Sequence, residues 1–380
     1  MISPEKFVDS LHENDIQFVT GVPDSLLKEV CACITSSLKK DQHVIAANEG
    51  SAIALAIGYY LGSQTPSLVY MQNSGLGNAI NPLASLADKA IYSIPMILMI
   101  GWRGEIMDDG SQLKDEPQHV KQGEITLELL KTMGIPYQII DKDSDDISLI
   151  LKKAKDETIK QQSPVAIVVR KGTFESFESG ETSCKQDYDL SREEALGLLL
   201  DLIPTNFPIV STTGMISREV CELRKSKPTP RLLDFLTVGG MGHASSIAAG
   251  ISIARPNEKV ICLDGDGALL MHSGALSNTS DQNNLLHIVL NNEAHDSVGG
   301  QPTKGNEVNF QTMAKAFGYK NTFLCLSKED LYKNMSDVLS IEGSTFIEIK
   351  CRKGFRQGLG RPDTSPLENK LNFLKSMDKI

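Results

Sequence analysis

Short apolar runs recur along the chain at intervals that leave room for one amphipathic helix between each pair. In the first half the runs 17–20, 43–46, 67–72, 95–101, 136–140 and 164–170 predict strands. Between them, residues 24–38, 49–61, 78–89, 124–133 and 145–161 carry helical spacing. Strands that are almost continuously apolar and alternate with helices predict a parallel sheet covered on both faces.

Residues 172–190, rich in Ser, Thr, Glu and Gly, break the pattern and predict a linker. Ser191-Arg192-Glu193-Glu194 then has the form of a helix start, a cap followed by a Glu three residues on. The alternation resumes with strands at 207–211, 259–263, 285–290, 322–326 and 345–350. Helices are expected at 192–202, 216–225, 244–254, 309–317 and 328–339. The expected architecture is α/β, two Rossmann-like parallel-sheet domains at 1–171 and 191–352. A charged, Pro-punctuated tail at 353–380 should pack loosely or reach to a neighbour.

Composition narrows the function. The 380 residues carry 38 Lys and Arg against 48 Asp and Glu, a formal charge of −10. An acidic chain without a basic tract is poorly suited to nucleic acid. No apolar run approaches the ~20 residues that cross a bilayer, so no membrane partner is expected. The N-terminus has no basic region followed by an apolar run, and seven scattered cysteines do not form a disulfide framework. A cytoplasmic, reduced protein is expected.

Ligands of such sheets sit beyond the carboxyl ends of the strands, and the polar signals fall there. Val260-Ile261-Cys262-Leu263 runs into Asp264-Gly265-Asp266-Gly267-Ala268 at a helix start. Glycines let a backbone approach phosphate closely, and the helix start offers unpaired N–H groups. Asp266 is placed to hold a divalent cation, and Asn291-Asn292 end the following strand, beside it. Gly239-Gly240-Met241-Gly242-His243 reads as a second close approach, with Met241 more often core than cofactor contact in such a place, and Thr212-Thr213-Gly214 as a third polar strand end. In the first half, Glu49 enters a nearly all-apolar helix. It either favours the helix dipole or is a carboxyl whose proton is retained by burial. Nearby strand ends carry Gly21-Val22-Pro23-Asp24, Gln72-Asn73-Ser74-Gly75 and Trp102-Arg103-Gly104, and the last leads to Asp115-Glu116-Pro117-Gln118-His119.

Glu49, Gly265-Asp266-Gly267 and Asn291-Asn292 together resemble the signature of thiamine-diphosphate enzymes, over nearly the whole chain. The larger decarboxylases of that family have a middle domain, in whose place this chain has only the linker. The compact layout is similar to the phosphonopyruvate and sulfopyruvate decarboxylases. Gly21-Val22-Pro23-Asp24, Asn73-Ser74-Gly75-Leu76-Gly77-Asn78, Met241-Gly242-His243-Ala244 and Gly299-Gly300-Gln301-Pro302-Thr303 look closest to the former. Fusion of the two halves in one chain favours the phosphonate substrate, since sulfopyruvate decarboxylases are often split.

The resemblance implies decarboxylation of 3-phosphonopyruvate to phosphonoacetaldehyde, with thiamine diphosphate and Mg²⁺. By motif, Glu49 would bond the aminopyrimidine ring, and Met241 would support the bent cofactor. Asp266, Asn292 and the Ala294 carbonyl would hold Mg²⁺, with Thr213, Gly240, His243, Gly265, Gly267 and Ala268 on the cofactor. Asp24, Ser74, Arg103, His295 and Gln301 would receive the 2-oxo acid, Arg103 through a guanidinium fork on the phosphonate. Proton delivery falls to Asp24, His119 or His295. His119 stands alone where the larger enzymes carry a His pair, and Val298 stands where they carry a Glu. The resemblance also implies a homo-oligomer, at least a dimer, with active sites between subunits. The alternatives are a sulfopyruvate decarboxylase and a non-catalytic protein that keeps the cofactor pocket for regulation.

Overall fold

The structure is a computed structural model that describes residues 1–144, 146–178, 187–225 and 233–378. The chain divides into two compact units, Met1–Thr182 and Ser183–Ile380. The core of the expected linker, residues 179–186, and Asp145 lie outside the described residues.

The first unit runs α1 (Pro4–Glu13), β1 (Val19–Gly21), α2 (Lys28–Ser37), β2 (His43–Ile45), α3 (Glu49–Ser63), β3 (Ser67–Gln72), α4 (Leu76–Pro82), β4 (Met96–Gly101), α5 (Pro117–Thr132), β5 (Tyr137–Ile140), α6 (Ile147–Gln161) and β6 (Pro164–Val169). All six strands are parallel, in the order β2-β1-β3-β4-β6-β5. The sheet divides its core by period-two alternation. Leu68, Tyr70, Ile97 and Met99 face one apolar layer, and Val69, Met71, Leu98 and Ile100 face the other.

The second unit runs β7 (Leu190–Ser191), α7 (Arg192–Leu202), β8 (Ile209–Ser211), α8 (Met215–Lys225), β9 (Asp234–Leu236), α9 (Ala244–Ala254), β10 (Val260–Gly265), α10 (Asp266–Met271), α11 (Leu276–Thr279), β11 (Leu285–Asn291), α12 (Phe310–Ala316), β12 (Asn321–Cys325), α13 (Lys328–Val338), β13 (Thr345–Arg352) and α14 (Pro366–Met377). Its parallel order is β12-β13-β11-β10-β8-β9, with β7 paired to β13. The chain leaves β8 toward one edge and returns at β10 to build toward the other. The switch point therefore lies between β8 and β10, where doubly wound sheets bind ligands. The corresponding point of the first sheet lies between β1 and β3.

Several elements differ from expectation. Ser3 caps α1 with Pro4 in its first turn, a helix the apolar-run reading passes over. The helix expected from residue 24 begins only at Lys28, because Asp24 is fully buried in the connection after β1. The tail does not pack loosely. Phe373 and Met377 of α14 are buried in a cluster with Leu233, against Phe235 and Ile251, and Asn369 bonds the backbone of Leu236 and Asp234. Among the described residues, no helix is long and apolar enough to cross a membrane.

Candidate cofactor and substrate site

In the second unit a cleft opens at the switch point. It is lined by Thr212, Thr213, Met241, the run Gly265-Asp266-Gly267-Ala268, Asn292, Ala294 and His295. Each line of sequence evidence for a phosphate and metal site converges there. Asp266 is 1% exposed. Burial raises its pKa to about 6, against the Thr303 hydroxyl and the backbone amides of Asp266, Asn292 and Gly267, which favour the charged form. Asn292 directly follows the neighbouring strand β11, and its side-chain amide nitrogen donates to Asp296 Oδ2 at 2.6 Å.

Glycines shape the cleft. A Cβ at Gly267 would lie 2.8 Å from His295 Cε1, and one at Gly305 would lie 2.5 Å from Asp266 Oδ2. His295 sits on a loop closed by bonds from its own N–H to Gln301 O and from the Gly300 N–H to His295 O. Burial lowers the His295 pKa to about 4, so its ring is neutral near pH 7. Gln301 is buried and joins this loop through its backbone. Gly240 and His243 lie on the loop that carries Met241. The His243 ring stacks on His272 at 4.5 Å between centroids.

The first unit gathers the other predicted residues. Glu49 follows the Asn48 cap at the start of α3, is 5% exposed, and accepts from Asn78 Nδ2 at 2.8 Å. Asp24 is fully buried, and no side chain hydrogen-bonds its carboxylate. Burial raises its pKa to about 6, opposed by the backbone amides of Leu26, Leu27 and Ser25 and by the Arg103 charge. Arg103 is not an open fork. Its Nε donates to Asp115 Oδ2 at 2.7 Å, a second nitrogen pairs with Asp115 Oδ1, and the third meets Ser25 Oγ at 2.5 Å.

Asp115 is a hub that sequence reasoning quoted but gave no role. It also accepts from the amides of Gly104 and Glu116 and lies 3.1 Å from His119 Nδ1. Burial works to raise its pKa, but Arg103 and these donors outweigh it and hold the carboxyl well below the usual range. Burial and the Arg103 charge lower the His119 pKa despite Asp115. His119 Nε2 stands 3.5 Å from the Gln72 amide, which donates to Ser74 Oγ at 2.7 Å. His119 belongs to α5, which begins at Pro117 rather than at 124 as expected; the signal was a proline able to open a helix.

The residues fit a diphosphate with a divalent cation. A buried carboxylate and a carboxamide are hard oxygen donors at adjacent strand ends, where Mg²⁺ needs only a few protein ligands beside phosphate and water. The Thr212 hydroxyl, buried on the same cleft wall, has no protein partner, which suits a site that receives a polar ligand.

Comparison with known proteins agrees with this geometry. Residues 4–128 match the family described as thiamine pyrophosphate enzyme, N-terminal TPP binding domain. Residues 212–349 match the C-terminal TPP binding domain of the same enzymes. The chain belongs to the thiamine pyrophosphate enzymes. Within that family it is 32% identical to a phosphonopyruvate decarboxylase of Streptomyces viridochromogenes, over 97% of this chain and 93% of the relative. A sulfopyruvate decarboxylase of Methanosarcina acetivorans is 24% identical over 100% of this chain and 98% of its own length. The sulfopyruvate decarboxylase subunit alpha of Methanococcus maripaludis is 33% identical, over 44% of this chain and 95% of that subunit. The Methanosarcina protein matches both halves in one chain. Fusion therefore does not separate the two substrates, contrary to the expectation from sequence; the higher full-length identity to the phosphonopyruvate enzyme does.

Proposed function

We propose that this protein is a thiamine-diphosphate- and Mg²⁺-dependent carboxy-lyase that converts 3-phosphonopyruvate to phosphonoacetaldehyde and CO₂. One observation carries the proposal: full-length kinship with phosphonopyruvate decarboxylase joins a cleft whose Asp266 and Asn292 lie at adjacent strand ends. When bound, thiamine diphosphate supplies the electron sink that lets a 2-oxo acid lose CO₂. Asp266, Asn292 and the Ala294 carbonyl would hold Mg²⁺ on its diphosphate, Gly265, Gly267 and Ala268 would give close backbone approach, and Thr213, Gly240, Met241 and His243 would line the remaining contact.

Glu49, buried at the start of α3, would meet the aminopyrimidine ring with one carboxylate oxygen, with Asn78 fixing the other. CO₂ leaves, and a proton must take its place on the carbon that becomes the aldehyde. Asp24 is the favoured donor: a carboxyl with a pKa of about 6 still carries a proton in part of the molecules near neutral pH. His119, oriented by Asp115, would shape the substrate side together with Ser74. Arg103 would meet the phosphonate on its Ser25-facing edge while Asp115 holds the opposite edge, and His295 and Gln301 are the second unit's own candidates for a substrate contact.

The protein is further proposed to act as a cytoplasmic homo-oligomer, at least a dimer. α3 is apolar nearly all round, yet Leu55 and Leu61 are exposed on it, and a helix of that kind is normally covered. The deciding assay measures CO₂ release from phosphonopyruvate, sulfopyruvate and pyruvate, each with and without thiamine diphosphate and Mg²⁺. Preference for phosphonopyruvate that depends on both additions is expected. Preference for sulfopyruvate would replace the substrate, and no turnover of any would leave a cofactor-binding protein.

A further inference from the structure

Arg192 opens α7. The capping box of Ser191 and Glu194 accounts for the helix start, but not for a full positive charge buried to 4% exposure. Its Nε and one terminal nitrogen donate in parallel to Glu219 of α8, both at 2.8 Å. The other terminal nitrogen donates to Asp296 Oδ2, also at 2.8 Å. That same oxygen accepts the Asn292 side-chain amide at 2.6 Å and the Gly354 N–H at 3.1 Å. Arg192, Asp296 and Asn292 line one cleft with Asp266.

The chemistry of a carboxamide gives this chain of contacts a consequence. An Asn can turn either its oxygen or its NH₂ toward a cation, and only the oxygen can ligate. Asp296, held as an acceptor by Arg192, can receive only the NH₂. It therefore fixes which end of Asn292 can turn to the metal, as outer partners of metal ligands do generally. Arg192 in turn is anchored by Glu219, so that Asp296 is fixed from a rigid helix rather than from its own loop.

We propose that Arg192 and Asp296 are positioning residues for the Mg²⁺ site, which set the Asn292 carboxamide with its oxygen toward the ion. The inference rests on the reading of Asn292 as a metal ligand. Its test compares Asp296→Asn with Glu219→Gln in the full chain. Each removes one of the two carboxylates beside Arg192 and leaves the other to balance it, but only Asp296 touches Asn292.

Calorimetric titration of Mg²⁺ into protein with thiamine diphosphate gives the half-saturating concentration, and thermal unfolding without cofactor gives stability. Asp296→Asn should raise half-saturating Mg²⁺ by about 10–100-fold, while Glu219→Gln stays within about threefold of wild type, since it contacts no metal ligand. Unchanged Mg²⁺ demand in Asp296→Asn, or an equal rise in both variants, overturns the proposal. Should Asp296→Asn not fold, Arg192→Lys keeps the charge and loses the fork. It should raise the Mg²⁺ demand severalfold, and a folded Arg192→Lys with wild-type demand overturns it equally. A wild-type protein that binds no cofactor at any Mg²⁺ concentration would instead remove the metal reading itself.

Discussion

Gly75 and Glu49 compete for one space: a Cβ on Gly75 would lie 2.5 Å from both Cγ and Oε1 of Glu49. Gly75 has φ −70°, a value any residue adopts, so its lack of a side chain serves the neighbouring carboxyl and not the turn. The strand end after β3 is thereby shaped around the acid at the start of α3.

Gly75→Ala is therefore expected to displace the Glu49 carboxyl. Glu49→Gln should slow turnover and exchange of the bound cofactor's C2 proton by about 10²–10⁴-fold, the usual worth of a positioned acid or base. Gly75→Ala should cost at least ~10-fold by the same route, with little further loss in the Glu49→Gln background, because contacting residues that act through one group are not additive. Fully additive losses would show that Gly75 acts elsewhere.

Asp24 and Gly101 stand in a similar relation, since a Cβ at Gly101 would lie 1.9 Å from Asp24 Oδ2. Here the cost of burial is legible in pH dependence. The folded carboxyl takes up its proton at about pH 6, well above the ~3.9 of an ordinary aspartate. Between those values the folded state binds more protons than the unfolded, so this group's contribution to stability declines as pH rises through that window and is lowest above it. Asp24→Asn removes the penalty, which at ~1.4 kcal/mol per unit is on the order of 3 kcal/mol. Thermal melts of the cofactor-free protein should show a higher midpoint for the variant at pH 7.5 and a flatter slope between pH 4 and 6, while turnover falls. A variant no more stable than wild type at pH 7.5 would mean that Asp24 is not strained by burial.

Much of this was readable before the structure, for physical reasons that differ by element. Runs such as Ser67–Gln72 and Met96–Gly101 are buried on both faces, so their composition alone marks them as central parallel strands. The Gly265-Asp266-Gly267 turn and Asn292 stand out in sequence as glycines and hard oxygen donors at strand ends, and the structure brings them to one cleft. Asp115 was not: its role arises from Arg103, Gly104, Glu116 and His119 converging on one carboxylate, and no local spacing encodes that convergence. Arg192 was hidden by its own context, since the capping box around it gave a sufficient local account. α14 was misread because its sequence is polar outside, while Phe373 and Met377, one turn apart, find their partners on β9 and α9.

The metal assignment makes a separate demand. Asp266→Ala should abolish Mg²⁺-dependent binding of thiamine diphosphate, because the diphosphate would meet the cleft without its bridging cation. Chelation of Mg²⁺ from the wild type should release cofactor to the same extent. Equilibrium dialysis with labelled cofactor reads both, and wild-type affinity in Asp266→Ala would place the cation elsewhere.

The hold on the phosphonate decides substrate choice, and the structure changes what should be expected of Arg103. Two of its nitrogens are committed to Asp115, so the pair offers a substrate anion less net attraction than an isolated guanidinium. What remains is the edge bonded to Ser25, held in a fixed direction by the fork on the other side. Arg103→Lys keeps the charge but cannot bridge Asp115 in parallel and reach past Ser25 at once. KM for phosphonopyruvate should then rise by roughly 10-fold or more, the loss of one charge-assisted bond at ~1.5–3 kcal/mol, while any turnover of pyruvate, which has no phosphonate, changes little. Asp115→Asn should loosen both Arg103 and His119 and so depress kcat for both substrates as well as raising KM. Equal losses on phosphonopyruvate and pyruvate in Arg103→Lys would assign Arg103 to bracing the strand ends, and would move the anion site to the loop of His295 and Gln301.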